Sequence, residues 1–335
     1  MRRTGRMAGS MALIAAVAVC AGAAPAAAAP APSDSPTRIV LLGTGAGPIP
    51  RKLRSQPASL LVVNGAPYLI DAGAGTTRQL AYAGYAPADI RNIFITHHHI
   101  DHNADLGAMI AFTWIGDNQR RLAAAPPVQI YGPPATGQLV AAAIEFLSVS
   151  ERIYSSEVPM FGASGRYQAH NIKSDGVVFQ DANVRVTAAE NSHFNIPKSA
   201  PNYGVDKSYS YRFDTSDRSV VFAGDTGPSD ALTRLAQGAD VLIVEVADVD
   251  ATMKAVGETM HLSPPQLAAM RFHTEQEHLT PEAIGKLATA AHVKTVILTH
   301  ISPGADDETD ASRYTADVRK VFSGTVIAGR DLLEF

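Results

Sequence analysis

Residues 92–106 read NIFITHHHIDHNADL. The opening run is apolar and β-branched and closes on Thr96, which is the signature of a short strand. Directly after it, four histidines and two aspartates fall within residues 96–106. Within that turn the spacing is His97-x-His99-x-Asp101-His102. A zinc ion takes about four nitrogen or oxygen ligands at ~2.0–2.2 Å. In a tight turn, alternate residues can address one centre while the next pair addresses a second. Two metals ~3.5–4 Å apart can then share a bridging hydroxide and a bridging carboxylate. Such a site needs donors from elsewhere in the chain. Taken alone, the stretch is also compatible with a solvated polar loop.

The missing donors recur beyond other strands. Apolar, β-branched runs lie at 38–43, 59–63, 68–73, 92–96, 128–132, 184–189, 209–213, 219–224, 240–246 and 294–299. His193 follows the run 184–189, Asp225 follows VVFAG, Glu245 ends DVLIV and His300 follows TVILT. Metal-competent residues just past successive strands imply one rim of a sheet system, where loops gather a site. Helical patterns lie between the strands. In TPEAIGKLATAA, Thr280 can cap, Pro281 takes the first helical position, and Ile284, Leu287, Ala288 and Ala291 form an apolar stripe. Residues 135–149 form a second helical pattern. Strands in hairpin-like pairs, then alternating with helices, predict sheets covered by helices, an α/β (α+β) class.

Composition sets the boundaries of the reading. The chain is 335 residues, 46% hydrophobic and 18% charged, as in a folded protein. Residues 1–29 carry Arg2, Arg3 and Arg6, then a short apolar run, then small residues, which is the layout of a secretory signal peptide. Residues 30–36 read as an Ala/Pro-rich linker and 37–335 as one domain, with no further run long enough to span a membrane. The chain is therefore expected to be exported, periplasmic or secreted. Lipid anchoring at Cys20 is disfavoured by Val19 before it. Cys20 is the sole cysteine, so metal in the mature chain must be held by histidine and carboxylate. Removing the three arginines takes the formal charge from −4 to −7. Without a basic run, the sequence argues against a nucleic-acid partner and disfavours a polyanionic substrate; oligomeric state is left open.

Six stretches in order now carry a resemblance to the metallo-β-lactamase superfamily. LLGTGAGPIP and IDAGAGTTRQL are similar to opening segments of its ribonuclease Z and secreted arylsulfatase-type branches. ITHHHIDHNADL, NSHF, FAGDTGPSD and LTHISPG supply the ligand motifs. The resemblance implies an αββα sandwich in which His97, His99 and His193 hold one metal, Asp101, His102 and His300 hold a second, and Asp225 bridges. The cofactors implied are two divalent ions, zinc foremost, with manganese or iron as alternatives. Asp101 also enters the expected catalytic set. His278 stands 22 residues before His300 and resembles a histidine that assists the leaving group, with Glu245 orienting it. His261 is the rival for that role. His98 occupies a variable position and is expected to point away. Val244 departs from the ribonuclease Z pattern, and no tRNA-clamping arm is recognisable.

The function implied is a dinuclear metal-dependent hydrolase of phosphodiester or aryl sulfate esters, with a small-molecule ester as substrate. A lactone or thioester hydrolase is the alternative on the same scaffold, with Asn202 or Tyr203 as oxyanion partner. A secreted binding protein with a relict metal site is the alternative from another class. Gly43, Gly45 and Gly47 lack the Lys-Ser/Thr of a phosphate loop and are read as tight turning. Phe112 and Trp114 are read as core packing rather than pocket wall. His170, His273 and His292 are read as structural or surface residues.

Overall fold

The computed structural model describes residues 35–335. The expected signal peptide, Cys20 and nearly all of the linker lie outside the described residues. The chain runs β1 (Thr37–Gly43), β2 (Ala58–Val63), β3 (Ala66–Ile70), α1 (Thr76–Tyr82), β4 (Asn92–Phe94), α2 (Ile100–Asn103), α3 (Leu106–Gln119), β5 (Val128–Gly132) and α4 (Thr136–Glu157). It continues through β6 (Tyr167–Asn171), β7 (Gly176–Gln180), β8 (Arg185–Glu190), β9 (Tyr209–Asp214), β10 (Ser219–Phe222), α5 (Asp230–Leu235) and β11 (Val241–Ala247). The last elements are α6 (Val249–Met260), α7 (Pro264–Glu277), α8 (Pro281–Ala290), β12 (Thr295–Ser302), α9 (Ser312–Val321), β13 (Thr325–Ala328) and β14 (Leu333–Glu334).

The strands form two mixed seven-stranded sheets, in the orders β14-β1-β2-β3-β4-β5-β6 and β13-β12-β11-β10-β9-β8-β7. Period-two alternation explains how they stack. In β1, Ile39 and Leu41 face the second sheet while Val40 and Leu42 face helices. In β11, Val241 and Ile243 face the first sheet while Leu242, Val244 and Val246 face helices. The central strands are apolar on both faces because each sheet is covered on both. Between the sheets, Phe94 stacks on Tyr131 at 5.0 Å and meets Phe213 edge-on at 5.1 Å. Leu80, Trp114 and Val140 cover the outer face of the first sheet; Leu232, Ile284 and Val318 cover the second. The result is the αββα sandwich expected. Each fully buried aliphatic or aromatic side chain contributes ~1.5–3 kcal/mol.

Local signals act as read from the sequence at α8, where Thr280 Oγ1 accepts the Ala283 amide and Pro281 starts the helix. Trp114 is fully buried and its indole donates to the Phe161 carbonyl, whereas Phe112 is exposed. The sequence reading marked only α4 and α8 among the helices, and α6 and α7 are among those it missed. For α7 the signal was SPPQ, since Ser263 and Gln266 form a capping box ahead of it. Segment 158–166 joins α4 to β6, and no helical or stranded arm intervenes there. No helix among the described residues is long and apolar enough to cross a membrane.

Parallel pairing runs through β3-β4-β5-β6 in one sheet and β10-β11-β12-β13 in the other. The crevice beyond the carboxyl ends of such strands is where open α/β sheets gather ligands. Asp71 follows β3, His97 follows β4, Asp225 follows β10, and Glu245 and His300 lie at the ends of β11 and β12.

Candidate metal centre

Each donor reaches the rim for a local reason. His99 caps the short helix α2, so Asp101 and His102 turn inward in its first turn and are buried. Gly73 makes that turn feasible, because a Cβ there would sit 2.1 Å from the Asp101 carbonyl oxygen. Gly227 acts likewise after Asp225: a Cβ there would lie 2.1 Å from the Gln276 carbonyl, near the end of α7. His300 sits in a β-bulge. Glu245 pairs with Thr299 and Val246 with Ile301, which leaves His300 as the extra residue, at φ 41°. Bulges re-aim side chains at active sites in this way. Glu245 follows Val241 and Ile243 on the inter-sheet face, and so points into the rim rather than toward the helices.

The structure brings all nine expected residues into one cluster. Donor atoms within 4.8 Å of one another come from His97, His99 and His193; from His97, His102 and Asp225; from Asp101, His102 and His300; and from Asp225, Glu245, His278 and His300. Asp225 joins two of these groups. Its Oδ1 lies 3.3 Å from His102 Nε2 and its Oδ2 lies 3.0 Å from His300 Nε2. Asp101 Oδ2 is 3.4 Å from His300 Nε2 and 3.8 Å from His102 Nε2. His193 Nε2 is 3.1 Å from His99 Nδ1.

Outer contacts fix which nitrogen faces inward. His193 Nδ1 donates to the Glu277 carbonyl at 2.9 Å, leaving Nε2 for the cluster. His102 Nδ1 donates to Asp71 Oδ2 at 2.9 Å, and Asp71 is held in turn by the Thr96 amide and hydroxyl. His97 Nε2, His102 Nε2, His300 Nε2 and Asp225 Oδ1 are buried without a hydrogen-bond partner among the described residues. Buried polar atoms are ordinarily satisfied. Four converging unsatisfied donors, three of them imidazole nitrogens, fit a divalent cation centre.

The electrostatics agree. Burial, then the neighbouring His102, push His97 well below its ordinary range; burial also lowers His99 and takes His193 down to about 3. These three are neutral, as metal-binding imidazoles must be. Burial would lower His102 and His300 too, but Asp225 overrides it with Asp71 at His102 and with Asp101 at His300, and His300 rises to about 10. Asp225 is held far below the carboxylate range, as His300 and His102 outweigh its burial. Asp101 falls to about 2, its burial outweighed by the same two histidines.

Glu245 and His278 form a separate unit beside the donors. Glu245 Oε2 lies 2.5 Å from His278 Nδ1, and its Oε1 accepts the Thr226 amide. His278 Nδ1 is 4.0 Å from Asp225 Oδ2. Both Glu245 oxygens are thus engaged by the chain, which suits a bracing role. His278 rises because Glu245 outweighs its burial, and burial raises Glu245.

Several expectations change. His261 is exposed at the end of α6, in a left-handed conformation, and belongs to none of the donor groups. His273 is not a remote surface residue: its ring lies 5.3 Å from His278 and 6.4 Å from His193. Asn202 and Tyr203 are exposed, and Asn202 donates to Asp206 rather than facing the cluster. His98 turns to α4, with Nε2 3.2 Å from Thr136 Oγ1. Asp71 was missed altogether. Its sequence signal was an aspartate ending the strand YLID, the same placement as the other donors.

A cavity of about 1190 Å³ opens over the cluster. His99, Asp101, Asp225, His278 and His300 form its floor; residues 46–52, α6 and α7 form its walls. The 44–55 segment is anchored by Asp331, which accepts from the Thr44 and Ser55 amides and from Gln79 Nε2.

The family model described as a β-lactamase superfamily domain matches residues 67–301. The chain belongs to the metallo-β-lactamase superfamily. A relative from Mycobacterium sp. (strain KMS), named ribonuclease Z, is 30% identical over 290 residues, 85% of this chain and 93% of the relative. The ribonuclease Z of Mycobacterium avium (strain 104) is 30% identical over 300 residues, 88% of this chain and 96% of the relative. Among solved structures, the metallo-β-lactamase fold protein YhfI from Bacillus subtilis superposes with a TM-score of 0.63 at 18% identity, covering 90% of this chain and 99% of that one. The short form of human tRNase Z gives 0.59 at 22% identity, covering 89% and 98%. Membership makes the chain a hydrolase of the metallo-β-lactamase fold. The relatives' names lend no support to the compositional argument against nucleic acid.

Proposed function

We propose that this metallo-β-lactamase-fold hydrolase cleaves phosphodiester bonds of small esters at a two-metal centre. His97, His99 and His193 would hold one ion; Asp101, His102 and His300 would hold the other; Asp225 would reach both. When bound, two divalent ions supply an activated water and neutralise charge on the ester oxygens. The observation that carries the reading is the convergence of unsatisfied His97, His102, His300 and Asp225 atoms on one floor, beside His278. The chain's own residues do the rest. Asp225 and Asp101 stay ionised at neutral pH, and the histidine tautomers are set by Asp71 and Glu277. His278, braced by Glu245, stands at the floor where a departing alkoxide needs a proton.

The relatives' name, ribonuclease Z, favours a phosphodiester over an aryl sulfate and makes RNA the second reading. The acidic balance and the apolar walls over the floor support the small ester. The arginine-led segment 1–29 supports export, which we include in the proposal. A panel of bis-aryl phosphate, aryl sulfate, lactone, thioester and RNA substrates tests it. The expected result is phosphodiester turnover that is lost on chelation and in Asp225→Asn, with metal content well above one equivalent per chain. Rapid lactone turnover with inert phosphodiesters would overturn it, as would a chain that holds no metal.

A further inference from the structure

The cavity above the floor is not neutral ground. Its 1190 Å³ exceeds the ~300–1,000 Å³ of an ordinary small-molecule pocket. α6, α7 and the turn between them contribute Val256, Met260, Leu262, Ala269 and Met270 to the lining, which Ile49 also joins. Ile49 and Met260 are 60% and 39% exposed, so a large apolar surface adjoins a highly polar floor. Two cationic residues, Arg51 and Lys52, line the same cavity. Arg51 lines the cavity, makes none of the described ion pairs, and has a buried Nε without a hydrogen-bond partner among the described residues. The loop carrying it is held from both sides. Asp306 accepts the Lys52 and Leu53 amides, and Asp331 fixes the Ser55 amide. Asp306 also lines the cavity, but it makes no ion pair with Arg51 among the described residues.

An apolar wall, a guanidinium with a free donor, and the donor cluster on one continuous cavity define a ligand with three matching parts. We infer that the substrate is an amphiphilic phosphodiester: its hydrocarbon group lies along α6 and α7, and Arg51 holds a non-bridging phosphate oxygen. This rests on the phosphodiester reading above and adds the substrate class. Arg51 is a positioning residue, since a planar guanidinium fixes an oxyanion by direction as well as charge. Burying methylene groups along the wall supplies affinity that a polynucleotide backbone would not gain there.

The test is a series of p-nitrophenyl alkyl phosphates from methyl to octyl, with nitrophenolate release as one readout. Calorimetric binding of the matching alkyl phosphonates to the metal-loaded protein is the second. The expected result is kcat/KM rising and Kd falling by about tenfold or more from methyl to octyl. In Val256→Asp the octyl-to-methyl ratio should collapse toward one in both readouts. In Arg51→Ala, Kd should rise for every member while the chain-length dependence persists, with partial recovery in Arg51→Lys. Turnover of all members with no chain-length dependence would overturn the inference and leave the phosphodiester reading standing. Chain-length-dependent phosphonate binding without any phosphodiester turnover would overturn the phosphodiester reading, and with it the substrate class inferred here. A dimer dissociated by Val256→Asp, together with flat chain-length dependence, would assign the wall to a second copy and overturn the inference.

Discussion

The Nδ1 of His102 lies 2.9 Å from the Oδ2 of Asp71, across 31 residues of sequence and from the end of a different strand. The contact fixes the His102 tautomer and turns Nε2 to Asp225. Outer partners of this kind are worth ~10–100-fold in metal affinity. Asp71→Ala should therefore weaken binding by about that factor, measured by competition with a chromophoric chelator. Unchanged affinity would sink the assignment of Asp71 as an orienting residue.

Metal loading should release protons. His102 and His300 are held in their charged forms by Asp225, and a divalent ion would take the place of those protons. On the order of two protons per chain should leave at pH 7. Calorimetry in buffers of differing ionisation enthalpy reads the number directly. No net release would mean that the two imidazoles are not displaced.

His278 should matter in proportion to the basicity of the leaving group. His278→Ala should cost about 10²–10⁴-fold for an alkoxide and far less for nitrophenolate, which leaves without a proton. Glu245→Gln should show the same pattern more weakly, because His278 loses its brace. Equal losses for both leaving groups would reduce the pair to a structural role.

A stability prediction lies far from the rim. Asp117 is buried and accepts from Arg91 at 3.0 and 2.5 Å and from Arg166 at 2.7 Å. Burial alone would raise its carboxyl, but the two guanidiniums hold it below the ordinary range. A depressed carboxylate stabilises the fold fully above its unfolded value of ~3.9 and loses that contribution as pH falls through the folded value. Asp117→Asn should cost about 3 kcal/mol at pH 7. The gap in Tm between the two proteins should narrow steadily below about pH 4. A gap independent of pH would contradict the account.

Much of this was legible because the donors obey local rules. His97, His99, Asp101 and His102 are contiguous, and His193, Asp225, Glu245 and His300 each follow an apolar strand that sequence periodicity marks. Strands such as β6, YQAHN, were not legible, because a half-exposed edge carries no apolar run. Asp71 was passed over within the run 68–73, since its partner is set by sheet order and not by spacing. His273 and His278 are five apart, an interval that places two residues on opposite sides of a helix. They meet because α7 stops at Glu277 and His278 continues in extended backbone. The apolar wall was invisible for a related reason: α6 and α7 bury little individually and acquire meaning only across the cavity.

The bulge at His300 has a consequence for how this strand can change. Ahead of it, Val296 and Leu298 face the helices; beyond it, Ile301 does so too, although its parity is opposite. Side-chain identity at 300 and packing of the strand are therefore independent variables, while strand length is not. A substitution at 300 can abolish or trade the donor with the core intact. Deleting residue 300 would restore regular alternation with Ile301 still toward the helices but would remove the donor. An insertion beside it would misplace the donor or invert Ile301. Trading the donor for another is open to this strand by substitution and closed to it by change of length.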